Sequence, residues 1–244
     1  MSSFDSKPYL RSLKFKNVDA INWHVYPFSI PSVANLEGIE FHSEVTFFVG
    51  ENGAGKSTVL EAIALALGFS PEGGTKNFSL QTAQTTSDLF KFIRPLRSYK
   101  RPKDGYFLRA ESFYNVATYM DEVDYLGGYG NKSLHHQSHG ESFMALLLNK
   151  LKGNGLYLFD EPEAALSPMR QLTALATIHQ LAQENSQFII ATHSPILLSY
   201  PHAKIIEFSA AGIQNVLYEE TEHYRITKDF LNNYQRRIQQ LLIE

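Results

Sequence analysis

Nine consecutive residues, Gly50-Glu51-Asn52-Gly53-Ala54-Gly55-Lys56-Ser57-Thr58, carry the densest chemistry in the chain. They match G-x-x-x-x-G-K-[ST], the pattern of a loop that cradles phosphates. Gly53 and Gly55 let the backbone close around an anion, with successive N–H groups turned inward. Lys56 is expected to reach the β- and γ-phosphates of a nucleoside triphosphate, and Ser57 to place its hydroxyl on Mg²⁺. Asn52, Ala54 and Thr58 complete the stretch expected to face the nucleotide.

Such a loop needs a strand before it and a helix after it. Residues 45–49, Val-Thr-Phe-Phe-Val, read as a buried strand. Residues 57–67 place Leu60, Ile63, Ala64 and Leu67 at helical spacing and stop at Gly68. The helix N-terminus adds its dipole at the point where phosphate would sit.

Further along, residues 155–162 form an apolar strand that ends in Asp160-Glu161-Pro162. Carboxylates at a C-terminal strand edge lie where open α/β sheets bind ligands. Asp160 is expected to order the Mg²⁺ shell, and Glu161, one residue on and pointing differently, to polarise the attacking water. A third apolar strand, 187–192, ends in His193-Ser194-Pro195, which puts His193 within reach of the γ-phosphate or that water. Alone, these would read as an acidic turn and a structural histidine. Beside the phosphate loop they predict an ATP-hydrolysing site with ATP and Mg²⁺ as cofactors.

Composition sets the limits. The 244 residues allow one large domain or two lobes, and 43% hydrophobic with 19% charged content describes an ordinary soluble globular chain. No run approaches a membrane span, and the first residues show no apolar signal core. The absence of cysteine excludes disulfides and thiolate metal sites and fits a cytoplasmic protein. A net charge of −3 means that any nucleic-acid contact needs a local basic patch. His135, His136 and His139 match no zinc-ligand spacing.

The motif order resembles that of the ABC-class ATPases of the P-loop superfamily: phosphate loop, signature, acidic strand, switch histidine. Gln137-Ser138-His139-Gly140-Glu141 looks like a drifted Leu-Ser-Gly-Gly-Gln signature, with Ser138 and Gly140 at the matching positions. The helix after it, 141–151, carries Phe143, Leu146, Leu147 and Leu151 on one face. Asp160-Glu161-Pro162-Glu163 and Ala191-Thr192-His193-Ser194-Pro195 are similar to the RecF, SMC and OLD-like branch. Ser167 and Pro168 suit the N-cap and first position of a helix through residue 184. The stretch from Thr58 to Ser138 holds a helix and a small lobe, not the long heptad arms of SMC-type proteins.

Between the motifs the chain is less regular. Residues 105–113 alternate like a strand, and Glu111 falls near where the family has its Q-loop glutamine, which makes it a candidate magnesium ligand. Arg94, Arg97, Lys100, Arg101 and Lys103 form a basic run, read first as a solvated loop and second as a contact for nucleic acid or an acidic partner. Residues 9–15 and 38–41 read as flanking strands. Trp23 and Tyr26 are candidates for adenine stacking, with core packing the plainer reading of each. Residues 227–242 form an amphipathic helix, expected to pack on the sheet or else to meet a partner.

The resemblance implies a single α/β domain over 1–244: a mostly parallel P-loop sheet, an N-terminal antiparallel β portion and a helical lobe inserted at about 69–150. It also implies an ATP-dependent homodimer without membrane insertion, in which Ser138 and Gly140 complete the partner's nucleotide site. A task in DNA repair or defence, with DNA as partner, follows from the branch. Two other roles stay open: the nucleotide-binding subunit of a membrane transporter, and a regulatory ATPase controlling a separate effector protein.

Overall fold

The computed structural model describes residues 8–76, 86–112 and 139–242. Its centre is a six-stranded sheet, ordered β4-β5-β6-β2-β7-β8. The strands are β2 (Val45–Val49), β4 (Asp104–Arg109), β5 (Gly155–Asp160), β6 (Gln187–Ala191), β7 (Lys204–Ser209) and β8 (Gly212–Val216). All pairs are parallel except β7 with β8. Strands β2, β5 and β6 are buried at every position. That is the pattern of parallel strands covered on both faces, and it explains why they read as unbroken apolar runs.

Side chains alternate between the two faces. Phe47, Tyr157, Phe159, Phe188 and Ile190 meet helices α4 (His139–Ala145) and α5 (Pro168–Gln183). Phe48, Leu158, Ile189 and Phe208 meet α2 (Lys56–Ala66), whose Val59, Leu60 and Ile63 are fully buried. Ser167 caps α5 with Pro168 behind it, as expected. After Ala145 the α4 helix widens into a π turn, Leu146–Lys150. Phe143, Leu146, Leu147 and Leu151 form the buried stripe, and Leu148 is left outside.

A two-stranded antiparallel ribbon covers part of the α2 side: β1 (Leu10–Phe15) with β3 (Ile93–Arg97). Residues 38–41 add only a bridge, Glu40 to Ser12, and no regular strand. Gly38, at φ 91°, turns the chain out of the extended conformation there. Arg94 and Arg97 of the basic run belong to β3 and not to a loop. Pro95 is tolerated among them because β3 has one hydrogen-bonded neighbour. The described part of 69–150 thus gives strands β3 and β4 as well as the short helix α3 (Leu89–Phe92) and the start of α4.

Short helices α1 (Pro31–Ala34) and α6 (Pro195–Leu198) sit beside the strand ends, and α7 (Glu222–Leu242) closes the described chain. Helix α7 departs from the expectation that it would pack on the sheet. It bends at Asn233 and buries no side chain. Ile226, Tyr234 and Leu241 of its apolar stripe are 60%, 54% and 72% exposed. Both faces of the sheet are already occupied by α2 with the ribbon and by α4 with α5, so no apolar surface is left to receive it. Among the described residues no helix is long and apolar enough to cross a membrane.

One buried side chain fastens the ribbon to the sheet. Gln187 of β6, 0% exposed, accepts from the Leu10 N–H (2.9 Å) and donates to the carbonyls of Leu10 (2.9 Å) and His42 (2.9 Å). Replacing it with Leu leaves those backbone groups without partners, at about 1–3 kcal/mol for each buried one. Gln187→Leu is expected to lose at least about 2 kcal/mol of unfolding free energy. Urea denaturation checks this; a midpoint equal to that of the unmodified protein would show that the ribbon is held by its apolar contacts alone.

Candidate nucleotide-binding site

The loop between β2 and α2 carries three glycines with positive φ: Gly50 (135°), Gly53 (80°) and Gly55 (96°). At Gly50 the requirement is also steric, because a Cβ would lie 2.1 Å from the Phe208 carbonyl oxygen of β7. The Ser32 hydroxyl on α1 donates to the Ala54 carbonyl and braces the loop from outside. Lys56 is 4% exposed, and its ammonium donates to the carbonyls of Gly50 (2.8 Å) and Glu51 (2.9 Å). Burial lowers its pKa, while Glu161, Asp160 and Glu163 pull the other way. The lysine thus folds back over its own loop, beside three carboxylates.

Parallel pairing brings the second motif to the same edge. Asp160 ends β5 in register with Arg109 of β4 and Ala191 of β6. The Ser57 hydroxyl donates to Asp160 Oδ1 at 2.8 Å, joining two residues far apart in sequence. Asp160 is 6% exposed, and burial pushes its pKa up to about 6, with Ser57 and Arg109 opposing and Glu161 and Glu111 reinforcing. A hydroxyl and a buried carboxylate without a counter-cation are hard oxygen donors that suit Mg²⁺. Among the described residues no three His, Asp or Glu gather into a cage. That also suits Mg²⁺, which takes one or two protein ligands together with phosphate oxygens and water.

Glu161 holds φ 50°, the left-handed region, and its N–H is bonded to Ala191 O at 2.9 Å. A non-glycine residue there stores on the order of 1–3 kcal/mol. The turn brings Glu161 Oε1 to 3.7 Å from His193 Nε2. Glu163 accepts from the Thr192 hydroxyl (2.7 Å) and the His193 N–H (2.5 Å), clamping the acidic loop to the end of β6. Burial raises its pKa. His193 Nδ1 is 2.8 Å from His223 Nε2 on α7, while its own Nε2 is shielded from solvent and lacks a hydrogen-bond partner. Burial first, then Lys56, lowers the pKa of His193.

The remaining predicted residues fall as follows. Glu111, two residues beyond β4, has a side chain 84% exposed and lies 3.8 Å from Arg109. Gly140 opens α4, where a Cβ would meet Ala165 O at 2.7 Å. Glu141 lies 3.5 Å from Arg170. Gly140 and Glu141 therefore pack on the loop after Glu163 and on α5. Ser138, with Gln137, lies outside the described residues. Trp23 packs edge-on against Phe15 (5.4 Å) and Phe28 (6.2 Å), whereas Tyr26 is 64% exposed. A groove of about 410 Å³ beside the loop is lined instead by Ile30, Pro31, Asn52, Phe208 and Glu222.

Three contributors were not anticipated. Arg109 closes β4, bonds Glu61 of α2 and lowers the Asp160 pKa; a cation ending an apolar strand was the available signal. Glu163 stands in the quoted acidic motif, but its partners were not visible. His223 had no signal, because nothing local ties it to His193.

Several known proteins resemble this chain. An AAA-domain family model matches residues 21–115, and a second, described as an AAA domain of the AbiEii toxin, type IV toxin–antitoxin system, matches 142–199. The energy-coupling factor transporter ATP-binding protein EcfA2 of Methanospirillum hungatei is 24% identical, over 78% of this chain and 52% of its own length. The chain thus spans about half of that relative. The L-cystine transport system ATP-binding protein TcyN of Escherichia coli K12 is 25% identical, over 82% of this chain and 92% of its own. The solved structure of cbiO1 from Clostridium perfringens, part of the ABC transporter complex cbiONQ, shares 19% identity at a TM-score of 0.45, covering 96% of this chain and 97% of that one. The chain is thus similar, over its phosphate loop and the site around it, to AAA-domain and ABC-type ATP-binding proteins.

The buried Asp160 makes the nucleotide-free protein pH-sensitive. Its folded pKa, about 6, lies above the ordinary 3.8. Its contribution therefore favours the fold fully below about pH 4 and is lost as pH rises through 6. Asp160→Asn is expected to stabilise the Mg²⁺-free, nucleotide-free protein at pH 8 by on the order of 2–3 kcal/mol relative to its effect at pH 4. Thermal unfolding at the two pH values reads this; a variant equally shifted at both would exclude charge burial as the cause.

Proposed function

We propose that this protein binds ATP with Mg²⁺, hydrolyses it and uses the cycle to open and close a homodimer. The observation that carries this reading is the convergence of Lys56, Ser57, Asp160, Glu161 and His193 on one sheet edge. Lys56 and the loop N–H groups hold the β- and γ-phosphates. Ser57 and Asp160 would hold Mg²⁺, which neutralises phosphate charge when bound. Glu161, presented by its left-handed turn, polarises the attacking water, and His193 Nε2–H contacts the γ-phosphate. Ser138 and Gly140 of the second copy complete the site, and Glu111 supports the metal shell. As a test, Glu161→Gln should retain ATP binding, lose hydrolysis by about 10²-fold or more, and accumulate dimer with ATP and Mg²⁺ in light scattering. Undiminished turnover in that variant would remove Glu161 from its role.

What the dimer grips is read from charge. The ribbon strands carry Arg11, Lys14, Arg94 and Arg97 and no acidic residue. Lys14 and Arg94 stand directly opposite each other, both exposed. Like charges at such a pair are destabilising, so the arrangement favours an anionic partner that relieves them. Lys76 lies by the same patch; burial lowers its pKa first, and Arg97 and Arg101 lower it further. In a chain of net charge −3 this local concentration supports DNA as the partner, in keeping with the RecF/SMC/OLD-like motif 160–163. The likeness to EcfA2 and TcyN, both ATP-binding proteins of transport systems, favours a second reading, the ATP-binding subunit of a transporter. Lys14→Glu separates the two. It should raise stability by about 0.2–1 kcal/mol and weaken salt-sensitive DNA binding in the ATP-bound state. DNA affinity that is absent, or unchanged in the variant, would favour the transporter reading.

A further inference from the structure

We infer that His223, in the first turn of α7, is a positioning residue that fixes the tautomer of His193. The inference rests on the reading above that His193 faces the γ-phosphate. A neutral imidazole carries one proton, so of His193 Nδ1 and His223 Nε2, 2.8 Å apart, one donates and the other accepts. The far nitrogen of His193 decides which. Nε2 is shielded from solvent, has no hydrogen-bond partner among the described residues and lies 3.7 Å from a Glu161 oxygen. A bare lone pair there would face a carboxylate and, with nucleotide bound, phosphate oxygens. A proton there is attracted to both. His223 Nε2–H therefore donates to His193 Nδ1 and leaves the His193 proton on Nε2, where it meets the anion.

The start of α7 is built to hold this contact. Thr221 is fully buried, its carbonyl accepts from the Arg225 N–H at 3.0 Å, and its hydroxyl accepts from the Tyr224 N–H at 3.4 Å. The Tyr218 ring packs against Tyr224 at 4.6 Å, and its hydroxyl donates to Pro195 O at 2.8 Å. The segment that carries His223 is thus bonded to the same turn that carries His193. Beyond it the helix buries nothing. Among the described residues, the imidazole pair is the polar bond that joins α7 to the acidic and histidine loops.

The test uses the full chain with ¹⁵N-labelled histidine and three substitutions, read by imidazole nitrogen shifts and by steady-state hydrolysis. In the unmodified protein His193 should show the Nε2–H tautomer. His223→Leu should give a mixture of tautomers and a kcat lower by about tenfold, the lower end of what loss of an orienting partner costs. Its KM for ATP should stay within about twofold, since ground-state phosphate binding belongs to the loop. His223→Gln, whose amide N–H can donate, should restore both the tautomer and most of kcat. His223→Glu, an acceptor only, should drive the His193 proton to Nδ1 and leave kcat as low as in the Leu variant. Unchanged His193 shifts in His223→Leu would overturn the proposal, as would equal kcat in the Gln and Glu variants. Should the Leu variant fail to fold, the Gln and Glu pair decides. The shifts are measured without nucleotide, so absent hydrolysis in the unmodified protein would count against the proposed function while the tautomer still judges this inference.

Discussion

A carboxylate taken out of water, with no cation in ion-pair contact among the described residues, is the constraint around which this site is organised. Asp160 ends the most buried kind of strand, where desolvation disfavours its charge. The groups around it answer that cost: the Ser57 hydroxyl, the Arg109 guanidinium one strand away, and Lys56 across the loop. Ser57 and Lys56 come from α2 and Arg109 from β4, so the parallel register of β4 against β5 has to be right before they can act together. Ser57 and Asp160 would hold Mg²⁺, whose charge would offset the same cost. The burial that disfavours a bare carboxylate is thus what suits Asp160 to a hard cation.

Around that centre, loops are held by bonds that reach across the chain. Glu163 ties the acidic turn to the backbone of His193, and Gln171 accepts from the Ser194 hydroxyl at 2.5 Å. Gly140 presses the start of α4 against the loop that follows. Glu161, held in a left-handed turn, is the strained member of the set. Strain of that kind persists only where neighbours overdetermine the backbone, and its Ala191 hydrogen bond is one of those neighbours.

Strands β2, β5 and β6 and helix α2 were legible because their signals are local, whereas β7 and β8 were not read. A glycine loop, three apolar runs and a 3.6-residue periodicity need no tertiary information. The residues that escaped are those whose meaning is set by a distant partner. Glu163 was visible as a letter in a motif, yet its two hydrogen bonds come from β6. Arg109 and Glu61 form a pair across separate elements. His223 lies before the helix read at 227–242 and had no local signal of its own. The position of α7 was misjudged for a related reason: its amphipathic pattern says that one face prefers to leave water, and does not say whether this chain has a surface free to receive it. The basic run was read as loop because prolines usually mean one, while a strand with a single neighbour accommodates Pro95.

Lys56 has a consequence of a different kind. Its ammonium is tethered to the Gly50 and Glu51 carbonyls before any ligand arrives. The rotational freedom of its four-carbon stem is therefore surrendered when the chain folds and not when a ligand binds. An arriving phosphate has to exchange hydrogen bonds with a side chain that is already in place, which favours ligands of high charge density over weak anions of similar size. The loop behaves as a closed clasp with its own placeholder, and discrimination begins with what is strong enough to displace it.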